Sequence, residues 1–425
     1  MKNIVNLIKK TAYKLGNTGF FHVFGSTAIN KIIGFASGIV LVRLISKSEY
    51  GVYSYAYNLL TFFMIACGFG AASGILQMCS ENREEQEKKQ IYIYASRSSF
   101  FVNIALSIVI FLVSAIVPLK IEGANFCLGM MAFLPIVSYI YEVQSFYLRT
   151  QLRNKEYSIS NTVSTITMFV LSCGLSYLFQ VKGLVAAKYL AFILSVLFVR
   201  LHCCVGYPVT KKAELSEVTR KQFWSISSIS MVNNGLSSLM YMLDIFVIGM
   251  VIPDSTVIAS YKVATQIPTA MIFIPTAFIT YIYPYFARHR EDKKWVKKKY
   301  VLVSLAIAAV CFTIAIGCIL FAPFIIKLIF GEAYLDTVQC FRVLSFSFAI
   351  SSVFRILPGN ILATQLKLKF NLFVAIFSSA LNTVLNVVFI TRWNSIGAAY
   401  ATLLTALTTS VLNIGYLMFV LKKRS

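Results

Sequence analysis

Residues 20–45, FFHVFGSTAINKIIGFASGIVLVRLI, read as a helix long enough to cross a bilayer, since 26 residues at about 1.5 Å each exceed a hydrocarbon core of roughly 30 Å. Eleven further stretches share this character, at 52–78, 91–117, 125–148, 157–179, 183–203, 223–251, 257–284, 300–322, 337–362, 370–391 and 396–420. The 425 residues are 58% apolar and 13% charged, with a mean hydropathy of +0.75, whereas about a quarter of a soluble domain is charged. The chain is therefore predicted to be an all-α polytopic membrane protein of 12 transmembrane helices.

The basic residues orient these spans. Of 39 Lys and Arg, 27 fall in the termini and in the connections on the same side as them, six in the opposite connections, and six within spans. Positive residues concentrate on the cytosolic side, so both termini are expected there. The net charge of +23 then reflects topology and attraction to anionic membrane lipids, and no basic domain is present to bind nucleic acid. Residues 1–18 lack the apolar core of a removable signal peptide and are expected to lie in the membrane interface through Ile4, Leu7, Ile8 and Leu15. Nine scattered cysteines with no CxxC pair read as packing residues.

The longest connection, about 20 residues including GYPVTKKAELSEVTRKQF, is polar and divides the spans six and six. The expected organisation is an interfacial segment 1–18, a first lobe 19–205, a cytosolic linker 206–222 and a second lobe 223–425. A weak internal repeat agrees. Gly51, Tyr53 and Ala56 fall opposite Ala259, Tyr261 and Ala264, Lys88-Lys89 opposite Lys297-Lys298, Pro118 opposite Pro323, and Val185-Ala186-Ala187 opposite Gly397-Ala398-Ala399, at shifts of 205 to 212. An even number of spans per half makes this a parallel repeat, an arrangement that commonly encloses a substrate site. Pro135, Pro268, Pro275 and Pro358 lie inside spans and imply bent helices.

Chemistry is expected where charge enters the membrane. Lys31 stands mid-span, where insertion costs roughly 2.5–3.5 kcal/mol, so it must face water, a carboxylate or an anionic ligand. Arg355 lies seven residues inside its span, and Lys262, Lys188, Arg342 and Arg97 lie five or six, a depth that snorkelling explains more simply. Lys31, Arg355, Lys262 and Arg97 are the candidate anion-binding residues. Two carboxylates, Asp244 and Glu142, are deep in spans and are read either as partners for these cations or as carriers of a coupling proton or ion. Asn233, Asn234, Asn382 and Asn386 are candidates for contact with sugar hydroxyls, the last two sharing one helical face. Any single Ser in SISSISMVNNGLSSLMYMLD or SISNTVSTIT is better explained by tight helix packing. The three histidines are isolated, and no Walker loop, HExxH, GxSxG or paired-Cys site occurs, so neither an enzyme nor a metal or other cofactor is expected.

The run LVRLISKSEYGVYSYAYNLLTFF, with GFG and SENREEQEKKQ after it, YMLDIFVIGMV around Asp244, APFIIKLIFGEAYLD at 322–336 and SIGAAYATLL from Ser395 together resemble the polysaccharide repeat-unit flippases. These belong to the multidrug, oligosaccharidyl-lipid and polysaccharide exporter superfamily. The resemblance implies two six-helix lobes in a V, as in its multidrug branch, and a central cavity in a bacterial inner membrane. It also implies an undecaprenyl-pyrophosphate-linked oligosaccharide as cargo, flipped outward for O-antigen or other surface polysaccharide. Polysaccharide polymerase machinery is an implied partner, and a proton or sodium ion an implied coupling ion. The drug-exporting branch often has an acidic residue in the first helix, where this chain has Lys31, which favours an anionic cargo. A cation-coupled multidrug antiporter of the same fold is kept open by Asp244.

Overall fold

The computed structural model describes residues 20–208, 213 and 215–422, with side chains at all of these except 20–24, 233, 236–238, 240 and 241. The expected interfacial segment 1–18 lies outside the described residues. Fifteen α-helices follow one another, with no strand among the described residues. They are α1 Phe20–Leu44, α2 Lys47–Met64, α3 Ala71–Met78, α4 Glu85–Ile116, α5 Ala124–Met131, α6 Leu134–Thr150, α7 Asn154–His202 and α8 Glu217–Val251. After these come α9 Ser255–Met271, α10 Phe273–Arg288, α11 Lys293–Leu320, α12 Ala322–Phe330, α13 Val338–Ile350, α14 Leu357–Thr364 and α15 Leu368–Lys422. Among the described residues, seven helical segments are long and apolar enough to cross a membrane, or nine when the bent pairs α2–α3 and α5–α6 each count as one span.

Along α4 and α15, polar residues are buried while large apolar ones face outward. Helix α4 buries Ser96, Ser99, Asn103, Ser107 and Ser114 and exposes Phe101, Ile108, Phe111, Leu112 and Ile116. Helix α15 likewise buries Ser378, Asn382, Asn386, Thr405, Thr409 and Asn413 while exposing Phe373, Ile376, Val384, Val411 and Phe419. Small and polar residues let helices approach closely and bond to one another, and the outward apolar side chains suit lipid.

Two of the helices are too long for one crossing. At 49 and 55 residues, α7 and α15 would extend about 74 and 83 Å if straight. Each is broken by a residue at positive φ, Gln180 (φ 51, ψ −131) in α7 and Asn394 (φ 52, ψ −144) in α15. Three residues beyond each break is a glycine, Gly183 or Gly397, whose Cβ would collide with the carbonyl eight residues back, on Leu175 or Phe389. The same register of 214 recurs at LRTQLR, 148–153, and LATQLK, 362–367. In both, the last residue donates its N–H to the first residue's carbonyl, Arg153 to Leu148 at 3.1 Å and Lys367 to Leu362 at 2.9 Å. The leucine before it sits at φ 56 or 59, ending the helix in a Schellman turn. These breaks and turns recur at a register of 214, in which Val185 falls opposite Ala399 rather than Gly397.

The pair α2–α3 is bent by 40° around Cys67–Gly70, where Gly68, Phe69 and Gly70 all have positive φ. A Cβ on Gly68 would strike the Tyr139 ring and one on Gly70 the Ser227 carbonyl. The Gly68 N–H that the break releases is taken by Asn103 Oδ1 at 2.8 Å.

The chain forms two compact units. One comprises the described residues up to Ser46 with Leu59–Pro118 and Gly123–Gly235, and the other Lys47–Asn58, Leu119–Glu122 and Leu236–Ser425, as far as described. Helices α2 and α8 therefore each contribute to both. In the first unit, residues 217–235 seat Phe223 in the core and donate Trp224 Nε1 to Tyr94 Oη at 2.9 Å. In the second, the start of α2 is fastened by Lys47, whose Nζ lies 2.8 Å from both Asp336 carboxylate oxygens and from the Ala333 carbonyl. Gly51 leaves no room for a Cβ beside the Ser255 carbonyl.

The glycines give a direct test. Gly183→Ala and Gly397→Ala should each destabilise the purified protein by about 1–3 kcal/mol. Gly174→Ala, in open space within α7, should be neutral or stabilising by about 0.5–1 kcal/mol. Thermal melts in detergent that rank Gly174→Ala lowest would refute the close approach at both turns.

Candidate functional site

The second unit encloses a cavity of about 500 Å³ lined by α8, α9, α13, α14, α15 and the turn Ser351–Ile356. That turn is a π-helix, and Pro358 follows it at the start of α14, so several carbonyls lose their helical donors. Asparagine amides donate to carbonyls around this segment. Asn413 Nδ2 donates to the Arg355 carbonyl at 3.1 Å, Asn360 Nδ2 to Ile356 at 2.9 Å and Asn371 Nδ2 to Gly359 at 2.9 Å. Arg355 is thereby held on an irregular backbone, half-buried and lining the cavity.

Asp244 lines the same cavity within a shell of neutral donors. It accepts from Tyr261 Oη at 2.6 Å and Thr402 Oγ1 at 3.0 Å through one oxygen, and from Asn386 Nδ2 at 2.7 Å through the other. Asn386 Nδ2 also reaches Asn382 Oδ1 at 2.9 Å. Asn386 and Asn382 are buried on one face of α15, as their spacing predicted. The Asn386 amide is committed to Asp244 rather than to the cavity space. Asn386 Oδ1 and Thr405 Oγ1 are buried without a protein partner, leaving two further oxygens in this region of α15.

Lys262 follows Tyr261 on α9, is half-buried, and lines the cavity with Arg355. Among the described residues neither Lys262, Asp244 nor Glu142 forms an ion pair. The carboxylates are therefore not held by the expected cation partners. Within the membrane, an ammonium without a carboxylate partner, lining the same cavity as a carboxylate held by neutral donors, is a costly arrangement that points to ligand chemistry.

The structure thus gathers Arg355, Lys262, Asp244, Asn382 and Asn386 around one cavity. Lys31, exposed on α1, Arg97, half-buried on α4, Glu142, exposed on α6, and Asn234, exposed on α8, belong to the first unit and line no part of it. The Asn233 side chain lies outside the described residues. Arg342 serves structure, since its Nε donates to the Ile319 carbonyl at 3.1 Å near the end of α11. Sequence reasoning missed Tyr261 and Thr402 as ligands of Asp244. Tyr261 stands in the weak repeat, but Thr402 carries no such signal. No group of three His, Cys, Asp or Glu suited to a metal occurs among the described residues.

The profile of the family described as polysaccharide biosynthesis protein matches residues 40–339, a span reaching from α1 into α13 and including Asp244 and Lys262. The chain belongs to that family. Among related proteins, a putative O-antigen transporter of Salmonella typhi is 22% identical over 291 residues, covering 65% of this chain and 66% of its own length. This chain thus spans just under two thirds of that relative. Two solved structures share the fold of this family member. An inward-facing multidrug resistance MATE family transporter of the MOP superfamily superposes with a TM-score of 0.75 at 14% identity, covering 93% of this chain and 96% of its own. The lipid II flippase MurJ, in an inward closed conformation, gives 0.70 at 15% identity, with 94% and 87% covered.

The shell around Asp244 makes an energetic prediction for this family member. Asp244→Ala leaves three donors without their acceptor and should destabilise the protein by about 2–4 kcal/mol, whereas Lys262→Ala should change stability by less than about 1 kcal/mol. Melting temperatures of the two purified variants in the reverse order would refute this account.

Proposed function

We propose that this protein moves a polyprenyl-diphosphate-linked oligosaccharide from the cytosolic to the outer leaflet of a bacterial inner membrane, by alternating access, for O-antigen or another surface polysaccharide. The observation that carries the reading is a cavity at membrane depth presenting Lys262 and Arg355, in a chain of the polysaccharide biosynthesis family. A diphosphate supplies the anion such cations require, and the apolar and hydroxyl-bearing walls suit the rest of the cargo.

Twelve spans follow when α7 and α15 are each divided at their breaks, α2–α3 and α5–α6 are each taken as one bent span, and α8 is added as the seventh. The lobes 19–205 and 223–425, joined by 206–222, are the corresponding halves, with both termini cytosolic according to the distribution of basic residues. Lys31 and Arg97 are proposed as further contacts for the anion. Asp244, with neutral oxygens from Tyr261, Asn382 and Thr402 around it, is the proposed seat of a coupling proton or sodium ion. Glu142 is the other candidate. An inside-negative potential of 100 mV favours outward movement of each negative charge by roughly 2.3 kcal/mol, so export needs no nucleotide. The polymerase that consumes the flipped unit is the proposed protein partner. Asp244 also favours a second reading, a cation-coupled multidrug antiporter, which the same experiment separates.

The test is the sidedness of a lipid-linked oligosaccharide in proteoliposomes. Arg355→Ala and Lys31→Ala should lower the rate of protein-dependent movement at least tenfold, and Lys31→Arg should retain part of it. Full activity in both well-inserted alanine variants, or transport of a cationic dye in place of the lipid, would overturn the proposal.

A further inference from the structure

A second, smaller cavity of about 230 Å³ lies in the same unit, lined by α10 together with Ile356 and Asn360. Those two residues also line the larger cavity, so the spaces adjoin at the residue next to Arg355. From α10 come Thr276, Thr280 and Tyr283, spaced i, i+4 and i+7 and so presented on one helical face, with Ile279 and Pro284 between and beside them. Tyrosines 281 and 285 occupy another face, where their rings lie 5.6 Å apart and both are more exposed than Tyr283. They match an interfacial belt, which Tyr283 does not need to join.

The polar groups here have a defined valence. Thr276 Oγ1 donates to the Ile272 carbonyl at 2.7 Å and Thr280 Oγ1 to the Thr276 carbonyl at 2.8 Å, so each hydroxyl has spent its proton on the helix and offers only an acceptor. Asn360 gives one N–H to Ile356 and keeps a second N–H and its carbonyl oxygen. An aromatic ring beside acceptor hydroxyls and one amide suits a ring that has an apolar C–H face and an edge of hydroxyl donors. At about 230 Å³ the space is smaller than the roughly 300–1,000 Å³ of sites for drug-sized ligands, so it fits one such ring rather than an oligosaccharide.

We propose that this pocket binds a single pyranose, the sugar adjoining the diphosphate of the lipid-linked cargo, with Tyr283 against its C–H face and Thr276, Thr280 and Asn360 on its hydroxyls. The assignment rests on the functional reading above and adds a specificity site to it. Recognition is then divided: the cations hold the diphosphate, common to every such lipid, and α10 selects the first sugar. Asn382 and Asn386, whose polarity serves Asp244, take no part in this.

Binding to the full-length protein in nanodiscs separates the two layers. The probes are a short-chain polyprenyl diphosphate carrying one hexose and the same lipid without sugar. Tyr283→Ala should weaken the glycosylated probe about tenfold and leave the bare one unchanged. Tyr283→Phe should bind both as the wild type does, Asn360→Ala should resemble Tyr283→Ala, and Tyr281→Ala should change neither. Arg355→Ala should weaken both probes. Equal effects of Tyr283→Ala on the two probes, no effect on either, or a wild type that does not distinguish them would overturn the sugar site while leaving the diphosphate reading intact. A wild type that binds neither probe would overturn both.

Discussion

Hydrocarbon offers no hydrogen bonds, and every peculiarity of this chain follows from the need to satisfy its backbone without water. Regular helix answers that need by itself, so interest concentrates where helix stops. At Gly68 the released N–H is met by Asn103, and around the π-turn and Pro358 the carbonyls of Arg355, Ile356 and Gly359 are met by Asn413, Asn360 and Asn371. Near the end of α11 the Ile319 carbonyl is met by Arg342. Some amide side chains in apolar spans thus lie against backbone irregularities, whereas Asn382 and Asn386 serve a side chain instead.

That relation explains why the cavity lies where it does. A regular helix presents a closed surface, whereas a π-turn followed by proline opens one and lets a charged side chain such as Arg355 stand at membrane depth. Asp244, which lines the same cavity, is held by a tyrosine, a threonine and an asparagine instead of by a lysine. Asp244 and Lys262 therefore do not neutralise each other. A buried ion pair would have been self-sufficient, and a self-sufficient pair has no use for a ligand.

Much of the architecture was legible because hydropathy and turn chemistry are local. The gaps anticipated between 179 and 183 and between 391 and 396 hold the breaks at Gln180 and Asn394, and the seventh to twelfth stretches overlap α8 to α11 and α13 to α15, whereas α12, Ala322–Phe330, falls where a connection was expected. The shared face of Asn382 and Asn386 was legible from their spacing alone. The triplet Val185-Ala186-Ala187 lies two residues from the register of 214 shared by the LxTQL turns, because small apolar triplets match too easily to fix a register. The ligands of Asp244 were hidden for a different reason: Tyr261, Asn386 and Thr402 are 17 to 158 residues away in sequence, and only the folded bundle makes them neighbours. Lys31 stood out from its depth in an apolar run, whereas Thr276 and Tyr283 are indistinguishable in sequence from a belt of tyrosines and packing hydroxyls.

The exchange of segments through α2 and α8 bears on how such proteins can be recombined. Residues 47–58 pack with the cavity-bearing unit though they are encoded in the first half, and residues 217–235 pack with the first unit though they follow the linker. A chimera joined at the linker would therefore inherit the wrong partner on both sides, setting one homologue's Gly51 against another's Ser255 and one homologue's Gly74 against another's Phe223. To graft the cavity of one relative onto another, residues 47–58 must travel with 236–425, and 217–235 must stay with the host. The unit that bears the cavity is discontinuous in the gene.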